Sequence, residues 1–297
     1  MLVLPKYLNY DEMAREIFVL KSSAALFDLA YKKLSTPYAD GTPRLVTSID
    51  EAIGYCVANR ADHVKALPGH TETPTVAITL DVAGVTVSGM GNGTNKPALN
   101  TATAIDVVTI TAADCTFEGF DFAVPGIDAV TADINIAAAN VTVRNTRHLG
   151  STTDMNKVDI ITLAAGCHDA VVDGVKIWND TVECVGGIVL EGISKRVEVK
   201  NCFVFDSIGF TGGSISDEAT SLGVYIHHNV FANAKADTVV AEFGNNTTGT
   251  FAYNCIAGRH STIASNITTG TGMNFFENYT VEQVSLNGML NPAADSE

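Results

Sequence analysis

Short segments in which apolar and polar residues alternate recur along most of this chain. Each segment consists of an apolar residue, any residue, an apolar residue, any residue, and then Gly or Asn. Five strict copies end at Gly89, Gly119, Asn145, Gly174 and Asn201, and three looser copies end at Asn229, Asn254 and Asn278. The copies follow one another about every 27 residues, and alternation with period two indicates β-strands and not helices.

A second apolar segment precedes most of these copies by about ten residues. These segments are Val76–Leu80, Val107–Ile110, Ile134–Ile136, Ile160–Leu163, Ile188–Leu190 and Val239–Phe243. Two or three short strands per repeat, closed by a residue that tolerates left-handed backbone angles, describe one coil of a β-solenoid. The pattern therefore predicts an all-β fold, a single-stranded parallel β-helix of about 8–9 coils stacked about 4.8 Å apart.

Stacking of the coils predicts which side chains share a column. One inward column should contain Val87, Phe117, Val143, Val172 and Val199. On the outside, a threonine ladder should run through Thr86, Thr116 and Thr142. Beside it, charges of alternating sign should attract one another at Glu118, Arg144, Asp173, Lys200 and His228.

A helix is predicted to close the start of the solenoid. The sequence from Ser48 to Glu51 has the spacing of a capping box, and the helix should extend to about Asn59. Ile49 and Ile53 fall on one helical face, which we expect to plug the N-terminal end of the core.

A longer apolar pattern lies between Asp11 and Leu34, with apolar residues spaced alternately by four and three. They are Met13, Ile17, Leu20, Ala24, Phe27, Tyr31 and Leu34, which is the a/d pattern of three helical heptads. We therefore predict an N-terminal helical arm and linker over 1–46, the β-helix over 47–291 and a C-terminal tail over 292–297. A helix with this much apolar surface must pack against another part of a protein. It can cap its own solenoid, or it can pack against other subunits. We predict that the seven residues form an oligomerisation and attachment surface.

Several segments resemble the pectin-lyase-like right-handed β-helix superfamily. Thr47–Ile53, Ala61–His70 and Val85–Gly91 resemble the opening of such proteins, and His168–Ile177 and Tyr225–Phe231 resemble their internal coils. The resemblance covers roughly residues 47–285. It implies right-handed coiling, and it is specific for the fold and not for a chemistry.

Catalytic signatures of that superfamily are incomplete in this sequence. Pectate-lyase-like chemistry needs Ca²⁺-binding carboxylates and a base, but Thr181 stands where the signature that begins at Trp178 would have a histidine. The carboxylate set of polygalacturonase-like hydrolases is also missing. We therefore assign no catalytic residue, cofactor or metal ligand.

Five polar residues nevertheless fall after equivalent corners and form the best available acid/base set. They are Arg147, His148, Asp180, Glu183 and Asp206, among which Asp180, Asp206 and His148 are the candidates for catalysis if the chain is an enzyme. The alternative is that all five are ordinary loop residues, which is the more frequent role of surface charges.

Charge and composition exclude some classes of binding partner. The chain has 18 Lys and Arg against 33 Asp and Glu, for a net charge of −15, so nucleic acid and anionic membrane are poor partners. The sequence shows neither a signal-peptide pattern nor an apolar stretch long enough for a membrane span. Its six cysteines form no C-x-x-C pair and are expected to be buried thiols.

The chain resembles a virion protein of a tailed phage in three features taken together. These are a helical arm, a β-helix without a recognisable catalytic set, and free cysteines. The predicted function is a capsid decoration or cement protein that forms a homotrimer, binds virion proteins such as the major capsid protein, and is located in the virion. One alternative is a polysaccharide-degrading enzyme or tailspike depolymerase. A second alternative is a glycan-binding adhesin without turnover.

Overall fold

The computed structural model describes residues 13–123, 127–149, 157–179, 184–206, 210–236, 238–259, 266–268, 272–282 and 288–290. In chain order the elements are β1 (Glu16–Val19), α1 (Phe27–Leu34), β2 (Leu45–Val46), α2 (Ile49–Gly54), β3 (His63–Ala66), β4 (Thr71–Glu72), β5 (Ile78–Leu80), β6 (Thr86–Gly89), a 3₁₀ turn (Gly93–Asn95), β7 (Ala98–Leu99), β8 (Asp106–Ile110), β9 (Thr116–Glu118), β10 (Asp121–Phe122), β11 (Ala132–Ile136), β12 (Thr142–Arg144), β13 (Arg147–Leu149), β14 (Asp159–Leu163), β15 (Val171–Asp173), β16 (Lys176–Asn179), β17 (Gly186–Leu190), β18 (Glu198–Lys200), β19 (Phe203–Asp206), β20 (Ile215–Asp217), β21 (Val224–His227), β22 (Val230–Ala236), β23 (Ala241–Phe243), β24 (Thr248–Ala252), β25 (Cys255–Arg259), β26 (Ile267–Thr268), β27 (Gly272–Phe276), β28 (Asn278–Glu282) and β29 (Gly288–Leu290).

These strands form three sheets that run along one solenoid. Sheet A has the order β2-β1-β3-β6-β9-β12-β15-β18-β21-β24-β27, sheet B the order β4-β7-β10-β13-β16-β19-β22-β25-β28-β29, and sheet C the order β5-β8-β11-β14-β17-β20-β23-β26. Within the described chain, every strand pair is parallel apart from β28 with β29. The predicted parallel β-helix is confirmed, with nine strands of sheet A from β3 to β27 marking its coils. Right-handed coiling stays a prediction.

The predicted inward column is also confirmed. Val87 pairs with Phe117, which is followed by Val143, Val172 and Val199 on successive coils. All five side chains are fully buried, and their burial supplies the main driving force for stacking the coils. On the outer side, the threonine ladder is present in the same register.

The outward ladder of charges is present in part. Glu118, Arg144, Asp173 and Lys200 are successive Cα partners, and Arg144 Nε lies 2.5 Å from Glu118 Oε2. Lys200, however, forms its ion pair with Glu198 on its own strand. The next member of the column is His227, so the prediction of His228 is wrong.

The three looser copies of the motif end differently from the strict ones. Asn145 and Asn201 have φ angles of 54° at the corner, as expected. In the later coils the left-handed residues are His228, Tyr253 and Glu277, each one position before the asparagine that we took as the corner. The asparagines therefore occupy the next, inward position, which Cys202 occupies in the preceding coil.

These inward asparagines form a buried ladder. The backbone N–H of Asn229 donates to Oδ1 of Asn254 at 3.0 Å, and the N–H of Asn254 donates to Oδ1 of Asn278 at 3.0 Å. Nδ2 of Asn254 donates to the Ile226 carbonyl at 3.0 Å and to Asn278 Oδ1 at 3.1 Å. The ladder satisfies polar groups that the corner would otherwise bury without partners.

The capping helix α2 forms where it was predicted, but it is shorter. Ser48 Oγ accepts the N–H of Glu51 at 3.3 Å, and the helix ends at Gly54 instead of Asn59. Ile49 and Ile53 are buried against the first coils, and α2 contacts β1, β3 and β5. Since β5 is the outermost strand of sheet C, α2 covers the open end of that sheet.

The prediction of a continuous helix from Asp11 to Leu34 is wrong. Residues 16–19 form β1, which pairs in parallel with all four residues of β3, and Ile17 and Leu20 are fully buried in the core. Ile17 and Val19 alternate with exposed or half-buried neighbours, and this short period-two pattern lies inside the longer heptad pattern. Pairing with β3 satisfies backbone groups that would otherwise be left open at the end of sheet A, which favours the strand.

The segment that follows β1 returns to the solenoid. The Tyr38 hydroxyl donates to the Glu16 carbonyl at 2.8 Å, and the Arg15 side chain reaches Asp40 at 2.5 Å. β2 then pairs with β1. The predicted domain boundary between residues 46 and 47 lies at the end of β2, which belongs to sheet A. Residues 13–46 therefore do not form an arm separate from the solenoid.

All six cysteines are free thiols. Cys115, Cys167, Cys184 and Cys202 are buried, as predicted, whereas Cys56 and Cys255 are half-buried. Burial raises the pKa of the Cys202 thiol to about 12, so this thiol is unreactive at neutral pH.

Candidate functional site

The acid/base set expected after the corners of the solenoid is not assembled on the surface. Arg147 points outward, but the neighbouring His148 is fully buried. Asp206 is also fully buried, and Asn179 Nδ2 donates to its Oδ2 at 2.8 Å. Asp180 and Glu183 lie outside the described residues. His148 and Asp206 were therefore wrong as candidates for surface catalysis, because adjacent residues on a strand point to opposite sides of the wall.

His148 belongs to a closed polar network inside the cylinder. Its Nδ1 lies 2.9 Å from Asp133 Oδ2, and Lys157 Nζ donates to the same oxygen at 2.6 Å. His148 Nε2 lies 2.9 Å from Thr146 Oγ1, and its ring stacks on Phe122 at 4.6 Å. Burial lowers the pKa of His148, so the ring is neutral and bridges its two neighbours. The network is a structural unit because no member of it faces water.

A different carboxyl group has the properties expected of a proton-transfer site. Asp159, at the start of β14, is 6% exposed, and its Oδ1 has no hydrogen-bond partner among the described residues. Burial, together with the nearby carboxylates of Glu191 and Glu218, raises the pKa of Asp159 to about 7. Burial and Glu218 also raise the pKa of Glu191. A carboxyl group that titrates near neutral pH can exchange protons at that pH.

A glycine makes room for this carboxyl group. Gly186 is the Cα partner of Asp159 on β17, and a Cβ at position 186 would lie 2.7 Å from Asp159 Oδ1. Ser216 Oγ on β20 is likewise buried without a partner. The sequence predicted the strand that follows Asp159 but contained no signal for its surroundings, since these come from coils about 27 residues apart. Within the described ranges, no three His, Cys, Asp or Glu side chains are grouped so as to hold a metal ion.

The seven predicted attachment residues divide into two groups. Ile17 and Leu20 are core residues and are unavailable to a partner. The other five lie on the surface or are half-buried, namely Met13, Ala24, Phe27, Tyr31 and Leu34. Leu26 and Leu29, which lie outside the a/d set, are also 51% and 55% exposed.

Helix α1 carries most of this exposed apolar surface. None of its side chains is buried, although Phe27, Ala30, Tyr31 and Leu34 follow the spacing of one helical face. The rings of Phe27 and Tyr31 stack at 6.1 Å, and Lys32 and Lys33 occupy the last turn, where positive charge is favourable. A helix of eight residues is marginal in water without tertiary packing. Helix α1 contacts β2, and Leu29 and Tyr31 remain more than half exposed on its surface.

Two further exposed apolar residues lie just after α2. Tyr55 and Val57, just after α2, are 40% and 50% exposed. In the part of the chain that the structure describes, no helix is long and apolar enough to cross a bilayer.

Comparison with known proteins supports the architecture. No family model matches the chain, and no curated protein matches it. Among solved structures, it is similar to a pectin methylesterase mutant in complex with a hexasaccharide, with a TM-score of 0.51, 11% identity and 95% of each chain covered. A rhamnogalacturonan lyase matches with a TM-score of 0.43 and 12% identity, covering 94% of this chain and 86% of the other. The first likeness shows that the chain has the pectin-lyase-like β-helix fold, and at this identity it shows the fold alone.

Proposed function

We propose that this chain is a structural attachment protein, a β-helix whose N-terminal end binds other protein subunits. In its specific form, the proposal is a homotrimeric decoration or cement protein on the capsid of a tailed phage, located in the virion and in contact with the major capsid protein. The observation that carries the proposal is the exposed apolar surface of α1. Contiguous exposed apolar surface of this kind marks sites of protein–protein interaction.

The rest of the molecule suits a structural role. Nine stacked coils provide a long lateral wall whose backbone groups are paired from coil to coil. Each coil contacts its neighbours, so the wall resists local opening along its length. Among the described residues, the N-terminal end carries a helix with exposed apolar side chains, none of them buried, and that end is therefore the proposed attachment point.

Light scattering after gel filtration tests the oligomer. The unmodified chain should elute as a trimer, and the double variant Leu29→Ser with Tyr31→Ser should elute as a monomer. Val76→Ser is the matched control, because Val76 is 76% exposed but lies before β5 and outside helix α1. The control should remain trimeric.

Sedimentation with capsids tests the partner. Capsids assembled from the major capsid protein encoded beside this chain should carry the unmodified protein into the pellet, and the double variant should stay in the supernatant. A chain that is monomeric at all concentrations and fails to sediment with these capsids would contradict the proposal.

Polysaccharide degradation is the second candidate, and Asp159 is the observation that favours it. A buried carboxyl group with a pKa of about 7, beside two further carboxylates, can act as a general acid or base. Acidic and neutral polysaccharides should be incubated with the protein between pH 5 and 8, while reducing ends and unsaturated products are measured. Products that disappear with Asp159→Asn would support this candidate, and the absence of any product would exclude it for those substrates.

A further inference from the structure

Two adjacent histidines lie at the corner between β21 and β22. His227 is the last residue of β21, and His228 has a φ angle of 56°. Adjacent side chains of a regular strand point to opposite faces, but the left-handed backbone at His228 breaks this alternation. The two rings therefore meet outside the wall, where their Nδ1 atoms lie 2.7 Å apart.

Aromatic neighbours hold both rings in place. The His227 ring stacks on Tyr225 with 3.9 Å between centroids, and the His228 ring stacks on Tyr253 with 5.0 Å between centroids. The two histidine rings are nearly perpendicular, with an angle of 83° between their planes. Because the rings are already ordered, binding of a common ligand by both would cost little side-chain entropy.

Glu198 on β18 determines which nitrogen of His227 is available. Its Oε1 lies 3.0 Å from His227 Nε2, and its Oε2 accepts a hydrogen bond from Lys200 Nζ at 2.7 Å. A carboxylate only accepts hydrogen bonds, so the proton of the neutral His227 ring is on Nε2. Nδ1 of His227 therefore carries a lone pair, and this lone pair is directed at His228.

This arrangement is the one that proteins use to present a histidine to a metal ion. A histidine that binds a metal through one nitrogen commonly donates its other N–H to a carboxylate, which fixes the orientation of the ring. His227 has such a carboxylate in Glu198. His228 supplies the second nitrogen once its proton is on Nε2, which is the other neutral form of the ring.

The distance between the two Nδ1 atoms is close to that of a chelating pair. Two nitrogens that bind one ion at about 2.0–2.1 Å, with an angle of about 90–109° at the ion, lie about 2.8–3.4 Å apart. The observed 2.7 Å is the separation of a hydrogen-bonded pair. A small outward rotation of the exposed His228 ring would let an ion take the place of the proton between them.

The nature of the ligands defines the class of ion. Imidazole nitrogens favour Zn²⁺, Ni²⁺ and Cu²⁺, whereas Ca²⁺ and Mg²⁺ favour oxygen. Within the described residues, no group of three His, Cys, Asp or Glu side chains is arranged for a metal, so water would complete the coordination. The net charge of −15 favours a cation, and Glu198 balances the charge of Lys200 beside the pair.

We propose that His227 and His228 bind one divalent transition-metal ion through their Nδ1 atoms, with Glu198 as the residue that positions His227. The site shares no residue with helix α1 or with Asp159. It therefore stands whether or not the chain attaches to a capsid or cleaves a polysaccharide.

Titration calorimetry of the full chain tests the proposal, with a chain that carries no histidine tag. ZnCl₂, NiCl₂ and CuCl₂ should each bind with a stoichiometry of one, and Cu²⁺ should bind most tightly. An excess of CaCl₂ should leave the affinity for Zn²⁺ unchanged, because Ca²⁺ competes for carboxylates and not for imidazoles.

Variants locate the site. His227→Gln and His228→Gln should each weaken Zn²⁺ binding about tenfold or more. His168→Gln is the matched control, since His168 is a half-buried histidine outside the pair, and it should bind like the unmodified chain. Circular dichroism and the melting temperature verify that each variant is folded.

Two variants of Glu198 test its positioning role. Glu198→Ala should weaken Zn²⁺ binding about tenfold, because His227 loses the acceptor that fixes its ring. Glu198→Gln should recover most of the affinity, because its amide oxygen still accepts the His227 N–H. Equal affinity of the alanine variant and the unmodified chain would contradict this role.

Electron paramagnetic resonance of the Cu²⁺ form identifies the ligands. The unmodified chain with one equivalent of Cu²⁺ should show coupling to two nitrogen nuclei, and each single histidine variant should show coupling to one. Three results would overturn the proposal. They are the absence of saturable binding of all three metals, full affinity in both folded histidine variants, and a Cu²⁺ spectrum of the unmodified chain without two coupled nitrogens.

Discussion

Two carboxyl groups on adjacent strands of sheet C have opposite surroundings. Asp133 on β11 is buried and receives Lys157 and His148 within hydrogen-bond distance. Asp159 on β14 is nearly as buried, but its Oδ1 has no partner and its charged neighbours are two further carboxylates. The fold therefore buries one carboxylate as part of a paired structural unit and keeps another close to its neutral form. The difference teaches that the charges on neighbouring coils, and not burial alone, decide whether such a group stabilises the wall.

Removing the cation from the paired network should have the largest effect. Lys157→Met leaves Asp133 charged and buried, with only a neutral histidine beside it, and should lower the free energy of unfolding by about 3–5 kcal/mol. Urea denaturation measures this change. Lys195→Met is the matched control, because Lys195 also lies in an isolated β-bridge but is exposed. Equal stability of the two variants would mean that the network contributes nothing.

The asparagine ladder is a second paired network, and its loss should cost less. Asn254→Ala removes the acceptor of the Asn229 N–H and the donor to the Ile226 carbonyl, and it should lower the free energy of unfolding by about 2–3 kcal/mol. Asn274→Ala is the control, since Asn274 is exposed on β27. A cost below that of the control would show that water replaces the ladder without penalty.

Substitution of the unpaired carboxyl group should have the opposite sign. The pKa of Asp159 is about 7 in the fold and 3.8 as its ordinary value, so the folded state binds its proton more tightly than the unfolded chain does. The contribution of Asp159 to the free energy of unfolding therefore falls as pH rises from about 4 to 7. Above pH 7 this contribution no longer changes. Asp159→Asn should match the unmodified chain at pH 4 and be more stable at pH 8, by at most about 4 kcal/mol for a shift of about three pKa units.

Thermal unfolding of Asp159→Asn at the two pH values tests this sign. Ser216→Ala removes a buried hydroxyl on the same sheet that has no partner among the described residues, so it should be close to neutral at both pH values and is the control. A variant that is less stable than the unmodified chain at pH 8 would show that the Asp159 carboxylate is stabilised by groups other than those described.

The local sequence pattern was sufficient to predict the strands that repeat from coil to coil. The inward column through Val87, six of the eight described strands of sheet C and the capping box at Ser48 depend on residues a few positions apart, and each was predicted. The strand β1 was missed because Ile17 fits a helical spacing with Leu20 as well as a short alternation with Val19. The free edge of β3, which decides between the two, lies more than 40 residues away in the chain.

The candidate sites were harder to predict than the fold. His148 and Asp206 are polar residues that follow a corner, and polar residues at such positions usually lie on the surface. The alternation of the strand nevertheless points both side chains inward. The pair His227 and His228 is visible in the sequence, but a regular strand would point the two rings to opposite faces, and only the left-handed backbone at His228 brings them together. Asp159 has no sequence signal, since the carboxylates that act on it come from other coils.

The amino-acid sequence by itself determined that this chain is a parallel β-helix with a capped N-terminal end, because the periods of two and about 27 residues are written in it directly. Only the tertiary structure decided which polar residues face the interior, which carboxyl group lacks a partner and which apolar side chains remain in water. The physical reason is that these properties depend on the few ångströms between neighbouring coils, and residues that are neighbours there are separated by a full repeat along the chain.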